Sequence, residues 1–344
     1  MRQQKEAAGE ISDAPVHLVA VANTLLTSVD RIVFHAVKGG RRYSHLPVSG
    51  ISRIADTYSG LKGWGFPATF ARGLTKFMSL CQKFGIDEKD FQTLTGLNIL
   101  KIILDKRTQF HLLLNTGGGQ AQTIKDFFSI ANCFFSGSDI ERSNMYVANN
   151  AQSTGAILYS FPAGRRYATP ESHLMHHRPV REKPAESEEE ESRWQEKGFF
   201  YFARLFLIGV KPEKRNGISQ LFLQAFDDPS NPEGRVQFTG GQLHELGVVT
   251  HPVQDIAELR AVFAKNVGMA VPKADLENPL SRFFLFAKIE KEILAETGKR
   301  IFILDDGGEK FRIGSEPPLT TREEEQMGQL IGKKLRRMCN FTDT

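Results

Sequence analysis

Apolar positions along this chain follow two spacings, and after residue 90 the two alternate. Over Phe91–Leu104 the apolar residues return at every third or fourth position, which is the stripe of an amphipathic helix. Phe110–Leu114 is a continuous apolar run that stops before Asn115, Thr116 and a triple glycine, as a short buried strand does. Helices that alternate with buried strands form crossover β-α-β units. The pattern therefore predicts an α/β fold with a largely parallel sheet.

Further elements of both types follow from the same spacings. Strands are expected at Arg31–Val37, Ser143–Ala148, Arg166–Ala168, His173–His176, Val236–Thr239 and Arg300–Leu304. Helices are expected at Ala121–Phe135, 153–161, 199–208, 219–228, 240–246, 282–297 and 320–338. Between residues 38 and 90 the glycine-rich sequence predicts short helices joined by turns.

Composition and charge limit the kinds of ligand and partner that the chain is expected to bind. The net charge of the 344 residues is +4, from 44 basic and 40 acidic side chains, and so weak an excess does not indicate a nucleic-acid partner. Three scattered cysteines (Cys81, Cys133 and Cys339) indicate neither a disulfide framework nor a metal site. No run approaches the roughly 18 consecutive apolar residues of a membrane span. We expect a cytoplasmic protein without a membrane partner, a metal or a cofactor.

One expected helix is almost wholly apolar. It follows an acidic segment at 181–198, which is typical of a solvated loop or a helix start, and covers Phe199–Ile208 with Arg204 as its single charge. Hydrophobicity all round a helix indicates burial on more than one side, in the core or in a subunit interface. We predict a homo-oligomer whose contacts include this helix, with a purely internal core helix as the alternative.

Three segments carry chemistry when they are taken together. A strand runs into Gly117–Gly119, Ser153 stands at the mouth of a helix after another strand, and His177 follows a third strand 24 residues later. A serine hydroxyl becomes a useful nucleophile when an imidazole takes its proton. A glycine-rich turn lets main-chain N–H groups approach a developing oxyanion. The combination indicates nucleophilic catalysis by serine.

Each piece taken alone has an ordinary structural explanation. A triple glycine after a strand is often a plain turn, and a serine at a helix start is more often an N-cap than a nucleophile. The pair His176–His177 would not share a metal ion, because adjacent residues of a strand point to opposite faces. Only the order and the spacing of the pieces favour a catalytic site.

That order resembles one known family. The segment Phe110–Pro179 is similar to the proteolytic subunit of the Clp protease: Asn115–Gly119 resembles its Asn-Ser-Pro-Gly-Gly turn, Gln152–Ala156 its Ala-Ser-Met-Gly-Ala motif, and Met175–Pro179 its Met-x-His-x-Pro strand end. Thr239–Val249 resembles the family's later Ser-Ala-x-Glu-Ala-x-x-x-Gly-Leu-Val. The likeness covers about residues 90–250.

The resemblance implies a site. It makes Ser153 the nucleophile and His177 the general base, and it makes the backbone N–H groups of Gly118 and Thr154 the oxyanion hole. The family's aspartate would fall at Arg235 by strict counting, which cannot serve. The remaining choices are three nearby carboxylates, of which we favour the first: Asp228, Asp227 and Glu233.

The resemblance also implies an architecture. We expect a ClpP/crotonase-like spiral of ββα units with a parallel sheet, an N-terminal strand and insertion region over 1–90, the catalytic domain over 91–250, and an α/β extension of unknown role over 251–344. Arg31–Val37 would be the family's first strand. In the family, the segment after the catalytic histidine forms a handle through which subunits pair.

Three functions remain open. The first is a serine endopeptidase that acts on peptides or unfolded protein; the second is a catalytically weakened scaffold or regulatory subunit. The third is another crotonase-like enzyme of acyl-CoA chemistry, for which the Ser153–His177 spacing would be coincidence. Family members receive substrates from an ATP-dependent unfoldase, but residues 1–90 and 251–344 match nothing known to us, so whether such a partner exists stays open.

Overall fold

A computed structural model describes residues 15–26, 32–38, 41–46, 108–120, 123–124, 127, 142–160, 163–180, 187–307 and 310–339. The helix expected over 91–104, most of the helix expected over Ala121–Phe135, and the glycine-rich stretch up to residue 90 beyond Leu46 lie outside these residues.

The described strands form a nine-stranded sheet and a separate hairpin. The strands of the large sheet are β1 (Val16–Ala22), β2 (Val33–Lys38), β3 (Arg41–Leu46), β4 (Gln109–Thr116), β5 (Ser143–Gln152), β6 (Arg165–Ala168), β7 (His173–His176), β8 (Val236–Thr239) and β9 (His251–Pro252). Neighbouring strands are parallel from β1 through β4, β5 and β6 to β9, whereas β2, β3 and β8 pair antiparallel. The protein is therefore α/β with a mostly parallel central sheet, as the sequence pattern predicts.

Strand β5 has different neighbours along its length. Its first half, Asn144–Val147, pairs with β6, and its last residues, Asn150–Gln152, pair with β7. Strand β7 then pairs antiparallel with β8. The end of β5 thus lies between β4 and β7, so the residues that follow these three strands meet at one place.

The helices cover both faces of the sheet. Their bounds are α1 (Thr154–Ser160), α2 (Glu188–Gly209), α3 (Arg215–Asp227), α4 (Gly240–Glu245), α5 (Ile256–Val267), α6 (Pro279–Thr297) and α7 (Thr321–Cys339). Because successive strand residues face opposite sides, Leu18 and Ala20 join the core under α1, α2 and α3, whereas Val19 and Val21 join the core under α5 and α6. Helix α6 also packs on its other side against the hairpin of β10 (Arg300–Gly307) and β11 (Lys310–Glu316) and against α7.

The N-terminal strand order differs from expectation. A strand does lie at β2, close to the expected Arg31–Val37, but it is not the first strand of the parallel sheet. That place is taken by β1, which runs parallel to β4, with β2 antiparallel on its other side. From Leu18 to Ala22, strand β1 is buried on both faces, so this part of its sequence is a continuous apolar run without alternation.

Residues on both sides of the expected boundaries contribute to this one sheet. Strand β1 comes from the segment before residue 90, and β9 comes directly after residue 250. Helices α5 and α6, from the expected C-terminal extension, cover one of its faces. Among the described helices, none combines the length and the hydropathy that crossing a bilayer requires.

Helix α2 contains the apolar segment Phe199–Ile208. Phe199, Ala203 and Phe206 are buried in the protomer's own core, where Phe206 stacks on Phe238. On the other side of the helix, Tyr201 is 58% exposed and Ile208 is 55% exposed. The helix is therefore partly a core helix and partly an exposed apolar face.

Candidate active site

Ser153 occupies the turn between β5 and α1. Its φ is 50°, which makes it the one non-glycine residue with positive φ in the described part of the chain. Such a backbone is strained by about 1–3 kcal/mol and persists where its surroundings fix it. Here the Ser153 N–H donates to the Met175 carbonyl (2.8 Å), and the Ser153 carbonyl accepts from the Ile157 N–H (3.1 Å). The turn is held from both the β7 side and the α1 side.

His177 follows β7 and reaches the serine. Because Gln152 pairs with Met175 across β5 and β7, the residues just beyond the two strands are neighbours. His177 Nε2 lies 2.8 Å from Ser153 Oγ. This is the distance at which a neutral imidazole accepts the proton of a serine hydroxyl.

His176 points to the opposite side. Its ring is buried and packs against the rings of Phe199, Phe202 and Phe222. The alternation expected from strand geometry is therefore present, and one histidine of the pair faces the serine.

Burial gives His176 a role in the pH dependence of stability. Burial, followed by the charge of His177, lowers the pKa of His176 to about 3, although a hydrogen bond with the Phe202 backbone opposes both. The unfolded-state pKa is near 6.5, so the folded protein binds fewer protons than the unfolded chain below that pH. The contribution of the neutral His176 to the free energy of unfolding is therefore fully present above pH 6.5. It is lost as the pH drops towards 3, by up to roughly 4 kcal/mol.

Lowering the pH from 7 to 4.5 should reduce the free energy of unfolding less in His176→Met than in the wild type. Methionine fills the apolar site and takes up no proton. Urea unfolding at the two pH values measures the difference, and His244→Met, at an exposed position of α4, is the control that should behave as wild type. An equal loss in wild type and His176→Met would show that other groups cause the fall in stability at low pH.

The triple-glycine turn packs directly against Ser153. A Cβ on Gly118, whose φ is +103°, would lie 2.6 Å from Ser153 Cβ, and a Cβ on Gly119 would lie 2.2 Å from the Leu26 carbonyl oxygen. Both positions therefore exclude a side chain. The turn is tied down because the Leu26 N–H donates to the Gly118 carbonyl (2.8 Å) and the Thr154 hydroxyl donates to the Gly119 carbonyl (2.6 Å).

One of the expected oxyanion donors is engaged within this turn. The Gly118 N–H donates to Thr116 Oγ1 (3.1 Å), and the Thr116 hydroxyl donates to the Thr24 carbonyl (2.6 Å). The other expected donor, the Thr154 N–H, belongs to the first residue of α1, where helical N–H groups lack a helical acceptor. Both residues adjoin Ser153, but only the Thr154 N–H stands at a helix start.

The three carboxylates considered from the sequence lie in or next to the loop after α3. The Asp228 carboxylate is exposed and accepts hydrogen bonds from the Ser230 N–H (2.8 Å) and the Ser230 hydroxyl (2.7 Å), which lower its pKa. Among the described residues, Ser230 is its hydrogen-bonding partner and His177 is not. The loop does not bring the favoured acid, Asp228, to the histidine, because its turn engages the carboxylate locally.

Of these three carboxylates, Glu233 is the one whose pKa the charge of His177 affects. A hydrogen bond from Arg235 lowers the pKa of Glu233, slight burial opposes this, and the charges of Arg235 and His177 lower it further. The Glu233 carbonyl also accepts the N–H of Arg178, the residue after His177 (2.8 Å). Asp227 is the last residue of α3.

We expect Glu233→Gln to lower kcat about tenfold, because an exposed, screened charge stabilises an imidazolium only modestly. Asp228→Asn and Asp227→Asn should stay within about twofold of wild type. Steady-state kinetics at low and high salt measure the three variants, and salt should shrink the Glu233 effect. A loss confined to Asp228→Asn would instead mean that the loop rearranges when substrate binds.

A further polar group near the site was not expected. The Glu290 carboxylate, on α6, accepts hydrogen bonds from Asn115, two residues before the glycine turn, and from Asn149, four residues before Ser153. Its sequence signal is a charged residue at the helical spacing of the apolar positions Phe286, Ile289 and Ile293.

No protein-family model matches the chain, and no curated protein is significantly similar to it. In the described part of the chain, no cluster of three or more His, Cys, Asp or Glu side chains could hold a metal ion. What the described residues bring together is a serine, an imidazole and a glycine turn, which can activate a hydroxyl and attack an acyl carbon.

Proposed function

We propose that this chain is a serine peptidase on a ClpP/crotonase-like fold, and that it hydrolyses peptide bonds through an acyl-enzyme. The observation that carries the proposal is the 2.8 Å approach of His177 Nε2 to the hydroxyl of a serine held at positive φ. A strained serine between a strand and a helix, with an imidazole within hydrogen-bonding distance, is the arrangement that exposes and activates a nucleophile.

The residues have separate roles in this mechanism. His177 Nε2 takes the proton of Ser153 Oγ as the oxygen attacks the peptide carbonyl, and it then gives that proton to the leaving amine. Water, deprotonated by the same imidazole, hydrolyses the acyl-enzyme and restores Ser153. The Thr154 N–H is one donor to the tetrahedral oxyanion.

The second oxyanion donor needs a local rotation. In the present geometry the Gly118 N–H faces Thr116, so the peptide before Gly118 must turn for this N–H to face the oxyanion. Glycine at φ +103° permits such a rotation without a Cβ clash. We assign Glu233 to the stabilisation of the His177 imidazolium, in place of Asp228.

A fluorophosphonate probe tests the proposal. The activated Ser153 should form a stable phosphonyl adduct, which peptide mapping by mass spectrometry locates. Ser160 and Ser172, both buried and bonded to backbone carbonyls, should remain unlabelled. Folded protein that carries no adduct on Ser153 at pH 8 contradicts the assignment.

A weakened relative that acts as a scaffold is the second candidate. The observation that favours it is the engagement of the Gly118 N–H by Thr116, which leaves the oxyanion hole with a single oriented donor. A probe that labels Ser153 in a protein without turnover of any peptide or ester would indicate this function.

We also propose that the protein is a homo-oligomer that pairs through the outer face of α2, as the resemblance to the Clp-protease family implies. Tyr201, Leu205 and Ile208 follow one another at helical spacing on that face. Two of the three are more than half exposed, and an exposed apolar face of this kind would make a monomer prone to aggregation. The buried Phe206, by contrast, belongs to the protomer core.

We expect Ile208→Glu to dissociate the oligomer and leave the protomer folded, because the charge would enter a dry contact between subunits. Sedimentation velocity at micromolar concentration measures the mass, and circular dichroism checks the fold. Gln329→Glu, at an exposed position of α7, adds the same charge away from α2 and should leave the mass unchanged. A wild-type protein that sediments as a monomer would rule out the stable oligomer.

A further inference from the structure

A buried carboxylate of the C-terminal segment lies next to the catalytic turns. Glu290 on α6 is 3% exposed and sits among the apolar side chains of that helix. Its Oε2 lies 2.9 Å from Asn115 Nδ2 and 2.8 Å from Asn149 Nδ2, and its Oε1 lies 2.6 Å from the Ile303 backbone N. One side chain thus joins β4, β5 and β10.

The backbone partners fix which atoms donate. Asn115 Oδ1 accepts the Asn150 N–H (3.1 Å), so the amide group of Asn115 faces Glu290. Asn149 Nδ2 donates to the Ala287 carbonyl (2.6 Å), so its amide group is oriented too. The Ile303 N–H can only donate. Both oxygens of Glu290 therefore accept, which is the hydrogen-bonding pattern of an ionised carboxylate.

This carboxylate is retained against a desolvation penalty. The pKa of Glu290 is raised to about 7: burial raises it, and the hydrogen bonds from Asn149, Ile303 and Asn115, followed by the charge of Arg300, oppose this rise. Arg300 also reaches Asn150, with its Nη1 3.4 Å from Asn150 Oδ1. Buried charges are kept where several donors satisfy them.

The two asparagines are close to the reacting groups along the chain. Asn115 lies two residues before Gly117, and Asn149 and Asn150 lie on the end of β5 that leads into Ser153. The glycine turn and the nucleophile turn follow different strands, and a single carboxylate bonds to an asparagine on each of these strands.

We propose that Glu290 is a positioning residue for the reaction, which sets the glycine turn and the Ser153 turn relative to each other through Asn115 and Asn149. Its catalytic meaning rests on the proposed function. The segment after residue 250 thereby has a role in the active site, which it exerts through these two asparagines.

Glutamine cannot take the place of this glutamate. If the introduced amide group replaces Oε2, it meets the Asn149 and Asn115 Nδ2 groups; if it replaces Oε1, it meets the Ile303 N–H and Asn115 Nδ2. Each orientation sets a donor against a donor. Glu290→Gln therefore changes almost no volume, breaks either the Asn149 link or the Ile303 link, and removes the negative charge that holds both asparagines.

The experiment compares Glu290→Gln with Glu292→Gln. Glu292 lies two residues further along α6 and pairs with Lys334 and Arg337 of α7, away from the catalytic turns. We expect Glu290→Gln to lower kcat and the rate of Ser153 labelling by about 10- to 100-fold, with KM within about twofold, because a displaced nucleophile loses chemistry rather than binding. Rates are normalised to the number of labelled sites, so unfolded protein does not contribute.

A second measurement does not need activity. Hydrogen exchange read by mass spectrometry should show faster exchange over 112–120 and 145–153 in Glu290→Gln, and no change there in Glu292→Gln. A wild-type Ser153 that takes no label defeats the proposed function, and the exchange data still decide the structural link. Normal kcat together with unchanged exchange in Glu290→Gln overturns the role of Glu290.

A second variant covers the case in which Glu290→Gln fails to fold. Asn149→Ala removes the link to the nucleophile turn and keeps those to Asn115 and Ile303. It should lower kcat about tenfold at unchanged KM. Wild-type kcat in Asn149→Ala would overturn the inference.

Discussion

Replacing Ser153 with alanine should lower kcat for peptide substrates by about 10⁴-fold or more, while the fold stays intact. The substitution removes one hydroxyl, whose neighbour is His177 Nε2 at 2.8 Å. It leaves the backbone hydrogen bonds of residue 153 with Met175 and Ile157 unchanged. Alanine and serine also tolerate positive φ about equally poorly, so the strain of the turn is the same.

Steady-state kinetics and thermal unfolding measure the two halves of this expectation. Ser160→Ala is the matched control: it removes a buried hydroxyl in the next helix, where Ser160 Oγ donates to the Ala156 carbonyl (2.7 Å). It should keep kcat near the wild-type value. Turnover by purified Ser153→Ala at the wild-type rate would mean that another group attacks the substrate.

The sequence identifies most of the elements around the site because their patterns are strong and local. Strands β4, β5, β6, β7 and β8 lie where the apolar runs predict them. Strand β1 is not predicted, because His17 and Asn23 interrupt the moderately apolar run 16–26 that contains it. In the folded protein His17 Nδ1 lies 3.0 Å from His111 Nε2 on β4, so a polar residue belongs to the strand after all. Strand β11 has no apolar run, since it is half-exposed.

The Ser153–His177 pair is predictable for the same local reason. Both residues directly follow strands, and parallel pairing of β5 with β7 makes such positions neighbours. The roles proposed for Glu233 and Glu290 are not predictable in this way. Glu233 lies in an irregular loop, whose course depends on hydrogen bonds of Asn231 and Asp228. Glu290 reaches the site only because α6 packs on the sheet, which is a tertiary contact between segments far apart in sequence.

Substitutions of His177 and of His176 should differ completely in their effect on activity. We expect His177→Ala to lower kcat by about 10⁴-fold, because the serine then has no base. His176→Met should keep most of the activity, because that ring packs among phenylalanines on the other side of β7. Methionine is preferred to alanine here, since a smaller side chain would leave a cavity in the core. The reverse pattern would place the base at His176.

The double variant tests whether serine and imidazole act as one unit. If His177 works by activating Ser153, removing both groups should lower kcat little more than removing either alone. Two independent contributions would instead multiply, giving a loss of about 10⁸-fold on the same single-variant values. The measurement is kcat for a peptide ester in Ser153→Ala, His177→Ala and the double variant, each at pH 8. A residual rate common to all three would report the part of catalysis that comes from substrate binding and the main-chain donors next to Ser153.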